Sequence, residues 1–185
     1  MFATLISTLV IAAPHFPAPD VFATASVGAS RSLGLGAGVT RLFTDDSTMP
    51  DVIGTLWLEG AWLADDWAQV FLAVPFGIGH VKIGAPTSSG EGLVLLTGGQ
   101  VGARYLFSAS LVRPFVGAQV TGLYVLASGA STSHLLFGPG GHAGFELDAG
   151  HSISVRLHGS FDWFIALNAL QRLSVGATLT VATSF

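Results

Sequence analysis

The chain has 185 residues, half of them hydrophobic and only 10% charged, whereas an ordinary soluble domain carries roughly 25% charge. Seven Lys and Arg stand against eleven Asp and Glu, Gly is abundant at 24, Cys is absent, and mean hydropathy is +0.65. These figures exclude a disordered chain, a coiled coil, a disulfide-stapled secreted domain and a basic nucleic-acid binder, so no nucleic-acid partner is expected.

Such hydropathy points to a membrane, yet no run of about 20 apolar residues offers a spanning helix. The nearest, Phe2 to Ala13, is too short and is broken by Thr and Ser. In lipid the backbone then has one other spanning solution, the closed β-barrel. Its sign is a series of alternating segments of about 10 residues separated by turns.

Residues 1–25 read as a secretory signal, with Phe2 to Ala13 as the apolar region and Ala23-Thr24-Ala25 as a small-x-small cleavage site before Ser26. No Lys or Arg lies near Met1. Residues 26–185 form the barrel. Strand 1 is expected over about Ser32 to Leu42, with Leu33, Leu35, Ala37 and Val39 outward and Gly34, Gly36 and Gly38 inward. A loop with Asp45, Asp46, Pro50 and Asp51 follows. Strand 2 covers about Val52 to Leu63, turning at Ala64-Asp65-Asp66, and strand 3 about Trp67 to Ile83. Gly84 to Gly92 carries turn chemistry and is expected to be a loop.

Strand 4 covers about Leu93 to Phe107 and strand 5 runs from the turn at Ser108 to Val112 up to about Ala127. Ser128 to Gly140 is expected to be the longest loop. Strand 6 covers about Gly141 to Asp148, strand 7 about Ser152 to Trp163, and strand 8 follows a loop over Phe164 to Gln171. The last strand alternates best. Leu173, Val175, Ala177, Leu179, Val181, Thr183 and Phe185 share one face, and Ser174, Gly176, Thr178, Thr180, Ala182 and Ser184 share the other.

The second face decides the environment. A soluble sandwich would place Lys, Glu, Arg and Asp there. Here it is mostly Gly, Ser, Thr and Ala, which fit the inside of a narrow barrel. The apolar face then meets lipid. The expected fold is therefore an all-β, up-and-down antiparallel transmembrane barrel of about eight strands, with short turns at the periplasmic end and both termini there. Trp62, Trp67, Phe107 and Phe185 fall near the turns, and Phe76, Tyr124 and Trp163 near the loops, as two interfacial belts would require.

Strand number, alternating connection length and the terminal Phe185 resemble the small OmpA/OmpX-type outer-membrane barrels over most of residues 26–185. The resemblance implies a bacterial outer-membrane location, a monomer in contact with the bilayer and lipopolysaccharide, and Phe185 as part of the signal read by the outer-membrane assembly machinery. The aromatic usual two residues earlier is Thr183 here.

Four charges point inward by parity at similar heights: Glu59, Arg104, Glu146 and Arg156. An unpaired buried charge is costly, so a paired lumen network is expected, acting as a salt-bridge plug or as a gate in a narrow pore. His158-x-Ser160 with Glu146 could form a Ser-His-Glu hydrolase set. It is similar to the His-x-Ser element of the lipid A deacylases, except that Phe161 replaces their Asn and the acid lies upstream. His80, His134, His142 and His151 have no metal-ligand spacing, and no metal or cofactor is expected. Arg41 faces out near a loop, where it could reach a lipid phosphate; Asp45, Asp46 and Asp51 read as a solvated loop that could also hold a cation. The leading expectation is a non-enzymatic envelope-structural or loop-binding barrel. A narrow pore is the alternative, and a lipid A hydrolase a remote one.

Overall fold

The computed structural model describes residues 31–43, 52–65, 67–85, 88–107, 111–127, 132–150, 152–166 and 171–185. Eight strands account for nearly all of them: β1 (Arg31–Phe43), β2 (Val52–Asp65), β3 (Ala68–Ala85), β4 (Ser88–Leu106), β5 (Val112–Ala127), β6 (Thr132–Gly150), β7 (Ile153–Ala166) and β8 (Gln171–Ser184). Each pairs antiparallel with the next, and β1 pairs with β8, so the sheet closes into an up-and-down barrel. The expected signal segment, residues 1–25, and the acidic loop with Asp45, Asp46 and Asp51 lie outside the described residues.

The pleat sorts the side chains as the alternation predicts. On β1 every second residue is buried or half-buried, and the exposed set includes Leu33, Leu35 and Val39. Leu35 is 70% exposed, while the inward-facing Ser174, Thr178 and Thr180 are buried. Apolar side chains thus form the outside, and polar or small ones most of the inside. This inverts a water-soluble barrel and matches one surrounded by acyl chains.

One row of paired residues measures the closure. It runs from Leu135 through Tyr124, Thr97, Phe76, Leu56, Ala37, Leu179 and Leu157, and returns to β6 at Phe145, ten residues along the same strand. That stagger requires strands tilted by about 40°. The span Leu173–Phe185, at about 3.3 Å per residue and that tilt, stands roughly 30 Å tall, which covers a hydrocarbon core.

Two expected loops are largely strand. Residues 84–85 and 88–92 continue the β3–β4 ladder to Ala85↔Ser88, and residues 132–140 belong to β6, paired with β5 from Ala127↔Thr132 to Gln119↔Gly140. Gly, Ser and Pro mark turns when the chain is read locally, but a barrel wall uses inward Gly where strands approach closely. A Cβ on Gly138 would lie 1.9 Å from the Trp163 carbonyl oxygen. Two of the three strand prolines leave gaps: the β3–β4 pairing skips Val74 and Pro75, and the β6–β7 pairing skips Gly138 and Pro139, whereas Pro114 of β5 stays in register opposite Phe145. The alternation of long and short connections is accordingly weaker than expected, because strand length replaces loop length.

At the turn end the β6–β7 connection bends through Gly150, at φ +77°, and Ser152, at φ 63°. The register shifts between Asp148 and Gly150, and the Gly150 amide donates to Asp148 Oδ1 at 2.9 Å. A positive φ beside a bulge is where glycine is favoured. The barrel closes below with the Phe185 amide donating to the Arg31 carbonyl at 3.0 Å.

Candidate functional site: a layered lumen

Beyond Ser154 at the turn end, the inward residues of β7 are Arg156, His158, Ser160, Asp162 and Phe164. They sample four layers that fill the barrel: ions, rings, neutral polar groups and apolar side chains.

In the ion layer Arg156 pairs with both Glu59 and Glu146 and donates to Ser32 Oγ at 3.0 Å. Arg104 pairs with Glu59 and also donates to Gln69 Oε1. Arg113 pairs with Glu146. Strand register brings these groups together: Glu146 lies opposite both Arg156 and Arg113, and Arg104 lies opposite Gln69. Arg104, Arg156, Glu59 and Glu146 are all buried and balance in charge, while the Arg113 side chain is 24% exposed and can share its charge with solvent. Buried charges persist only with this degree of mutual satisfaction.

Above the ions lies a layer of rings. The Arg104 guanidinium sits 4.9 Å from the Phe71 ring and 5.4 Å from the Phe115 ring. His142 meets Phe71 edge-on at 5.1 Å, and His158 lies 6.2 Å from Phe115. Higher still, Asp162 accepts from Gln119 Nε2 at 2.8 Å, Thr121 Oγ1 at 2.7 Å and Ser174 Oγ at 3.3 Å. Gln100 Nε2 donates to Thr121 Oγ1 at 3.1 Å, extending this layer to β4. The loop end is filled by Leu42, Ile53, Val94, Leu96, Leu123, Val125, Leu136 and Phe164, which pack as one buried cluster.

The four lumen charges singled out from the sequence, Glu59, Arg104, Glu146 and Arg156, are therefore in contact. Arg113 belongs with them and was missed, although it shares parity with the inward Phe115 and Gly117. The apolar layer corrects the expectation that small residues and ions alone fill the interior: large side chains seal one end. The Ser160, His158 and Glu146 set is not assembled, because both Glu146 carboxylate oxygens are engaged by arginines and His158 packs against Phe115 and His142. Among the described residues no three His, Cys, Asp or Glu side chains cluster as a metal site would require.

Outside, Trp62, Trp67, Phe107 and Phe185 lie at the turn end. Trp67 stacks on Tyr105 at 6.4 Å, and Tyr105 meets Phe107 at 5.2 Å. Phe76 and Tyr124 share one row through Thr97, and Trp163 precedes Phe164 of the apolar layer. Arg41 is exposed near the loop end, its guanidinium 5.0 Å from the Phe43 ring.

No family model matches the sequence, and no curated protein matches it. Solved structures do match. Neisserial surface protein A aligns with a TM-score of 0.67 at 12% identity, covering 85% of this chain and 98% of that one. The fold is that of the small eight-stranded outer-membrane barrels. Ail of Yersinia pestis, solved with the heparin analogue sucrose octasulfate, aligns with a TM-score of 0.54 at 11% identity, covering 84% of this chain and 97% of that one. The outer-membrane enzyme PagL also aligns, with a TM-score of 0.45 at 14% identity over 82% of this chain and 99% of that one, too distant to bear on chemistry. The common feature is an outer-membrane-type wall.

Proposed function

We propose that this chain is an integral protein of the bacterial outer membrane with a non-enzymatic role, bracing the envelope or presenting its loop end to a partner, and that its lumen does not conduct. The observation that carries this reading is the double closure of the lumen. Ions lock the turn-end half, and eight packed apolar side chains fill the loop end. An eight-stranded barrel is just wide enough for side chains to fill, and an apolar constriction excludes water and ions even where the wall is open.

In this reading both termini are periplasmic, residues 1–25 are the export signal and Phe185 addresses the assembly machinery. The outward leucines and valines contact acyl chains, and Arg41 reaches lipopolysaccharide phosphate at the outer rim. The protein is a monomer.

The deciding experiment is conductance of the purified protein in a planar bilayer. Silence is expected. Discrete openings would replace this reading with a narrow pore, which the ion network would then gate. Gel mobility checks the membrane reading separately. The unheated membrane fraction should migrate differently from the boiled one, and identical bands together with release by a salt wash would argue against it. Ser160→Ala tests the remaining hydrolase reading: lipid A acylation in the host should be unchanged.

A further inference from the structure

His142 on β6 and His158 on β7 approach each other in the ring layer, with centroids 6.0 Å apart and planes at 65°. Nδ1 and Nε2 of His142 and Nδ1 of His158 are buried without a hydrogen-bond partner. His142 is only 5% exposed. Each neutral imidazole carries one N–H donor and one lone-pair acceptor, and a buried polar group left unmet is strongly disfavoured.

The spacing excludes a direct bond between the rings. With each nitrogen about 1.1 Å from its ring centre, a direct N–H···N bond of about 3.0 Å would hold the centres within about 5.2 Å. The rings are too far apart for that. One bridging atom, with a hydrogen bond of about 2.8–3.0 Å to each ring, spans the gap when the two bonds meet at a bent angle. The bent angle is the natural one for water, which can donate to one ring and accept from the other.

A metal ion fits the surroundings less well. Arg104 lies on Phe71 and Phe115, the same rings that hold His142, so a dication would sit beside a guanidinium. It would also have only two protein ligands, short of the usual three or four. The wall leaves His142 its seat: a Cβ on Gly117 would come within 2.5 Å of His142 Cε1 and Nε2. We propose that one water molecule is bound between His142 and His158 in the middle of the lumen, joining the two imidazoles as a single hydrogen-bonded unit.

A crystal structure of the full chain at a resolution that shows ordered water tests this directly. One peak within hydrogen-bond reach of both rings, without anomalous signal at the zinc edge, is the expected result. Rings bonded to each other or to protein groups with no peak between them would overturn it. So would an anomalous peak, or a one-to-one zinc site in calorimetric titration that His142→Phe abolishes. Thermal unfolding gives an independent check. His142→Phe and His158→Phe should each lower Tm, because each leaves the other ring unmet, and the double variant should lose less than the two shifts added together. Additive shifts would mean that no shared ligand couples the rings.

Discussion

The two ends of this lumen are closed by opposite chemistry. At the turn end the closure is directional: Arg156 bridges Glu59 and Glu146, and Arg104 and Arg113 complete the pairs. At the loop end it is non-directional, a packed cluster of Leu, Ile, Val and Phe. An ion layer depends on each member because a buried charge cannot be left alone, whereas an apolar layer tolerates rearrangement and loses only contact and volume. The same wall also changes character between the two ends. Near the turns an apolar outside opposes a polar inside. Near the loops both faces are apolar, with Leu135 and Phe137 outside and Leu136 inside on β6.

The largest effect should come from breaking the directional closure. Arg156 is 1% exposed and contacts both carboxylates. Arg156→Leu leaves Glu59 with Arg104 and Glu146 with Arg113, each pair short of its shared partner. Stability should fall by about 3–5 kcal/mol, measured by urea unfolding from lipid vesicles. A loss below about 1 kcal/mol would mean that solvent already reaches the layer and that the contrast between the two ends is false.

Breaking the apolar closure should cost somewhat less. Phe164 is fully buried at the loop end, and Phe164→Ala should lower stability by about 3 kcal/mol through lost contact and a residual cavity. Conductance sharpens the comparison. If the two layers act as seals in series, Arg156→Leu and Phe164→Ala should each remain silent in a planar bilayer, and only the double variant should show openings. Openings in either single variant would assign the whole barrier to that layer.

The unequal legibility of the two ends follows from the same physics. Alternation carried the wall and the four lumen charges, because a charge on the small-residue face has one place to go. Arg113 was lost because it adjoins a predicted turn and Pro114, which draw attention to the bend and away from the face that Arg113 shares with Phe115. The apolar layer was lost for a deeper reason. Where Leu93 to Leu96 or Leu135 to Phe137 run apolar on both faces, period two vanishes, and sequence cannot separate lumen from lipid. Gly138, Pro139 and Gly140 then made a strand look like a loop. The pairing of the two histidines needed register, which no local pattern supplies.

The smallest predicted effect separates the two faces at glycine. A Cβ on Gly138 would lie 1.9 Å from the Trp163 carbonyl oxygen and 2.7 Å from its carbon, whereas one on Gly99 meets nothing within 4 Å. The first contact is backbone, at the gap left beside Pro139, so it can be relieved only by moving the β6–β7 pair apart. Gly138→Ala should therefore lower stability by about 1–3 kcal/mol, the range for forced overpacking. Gly99 is exposed on the outer face, and Gly99→Ala should change stability by no more than about 0.5 kcal/mol. Equal effects in the same vesicles would mean that the strands around Pro139 already stand apart and that the gap in the β6–β7 ladder is a loosening of the wall. A large Gly138 effect beside a negligible Gly99 effect would show that close approach selects glycine there, and that the residues which mimic a loop in the sequence are the ones that let β6 continue as wall.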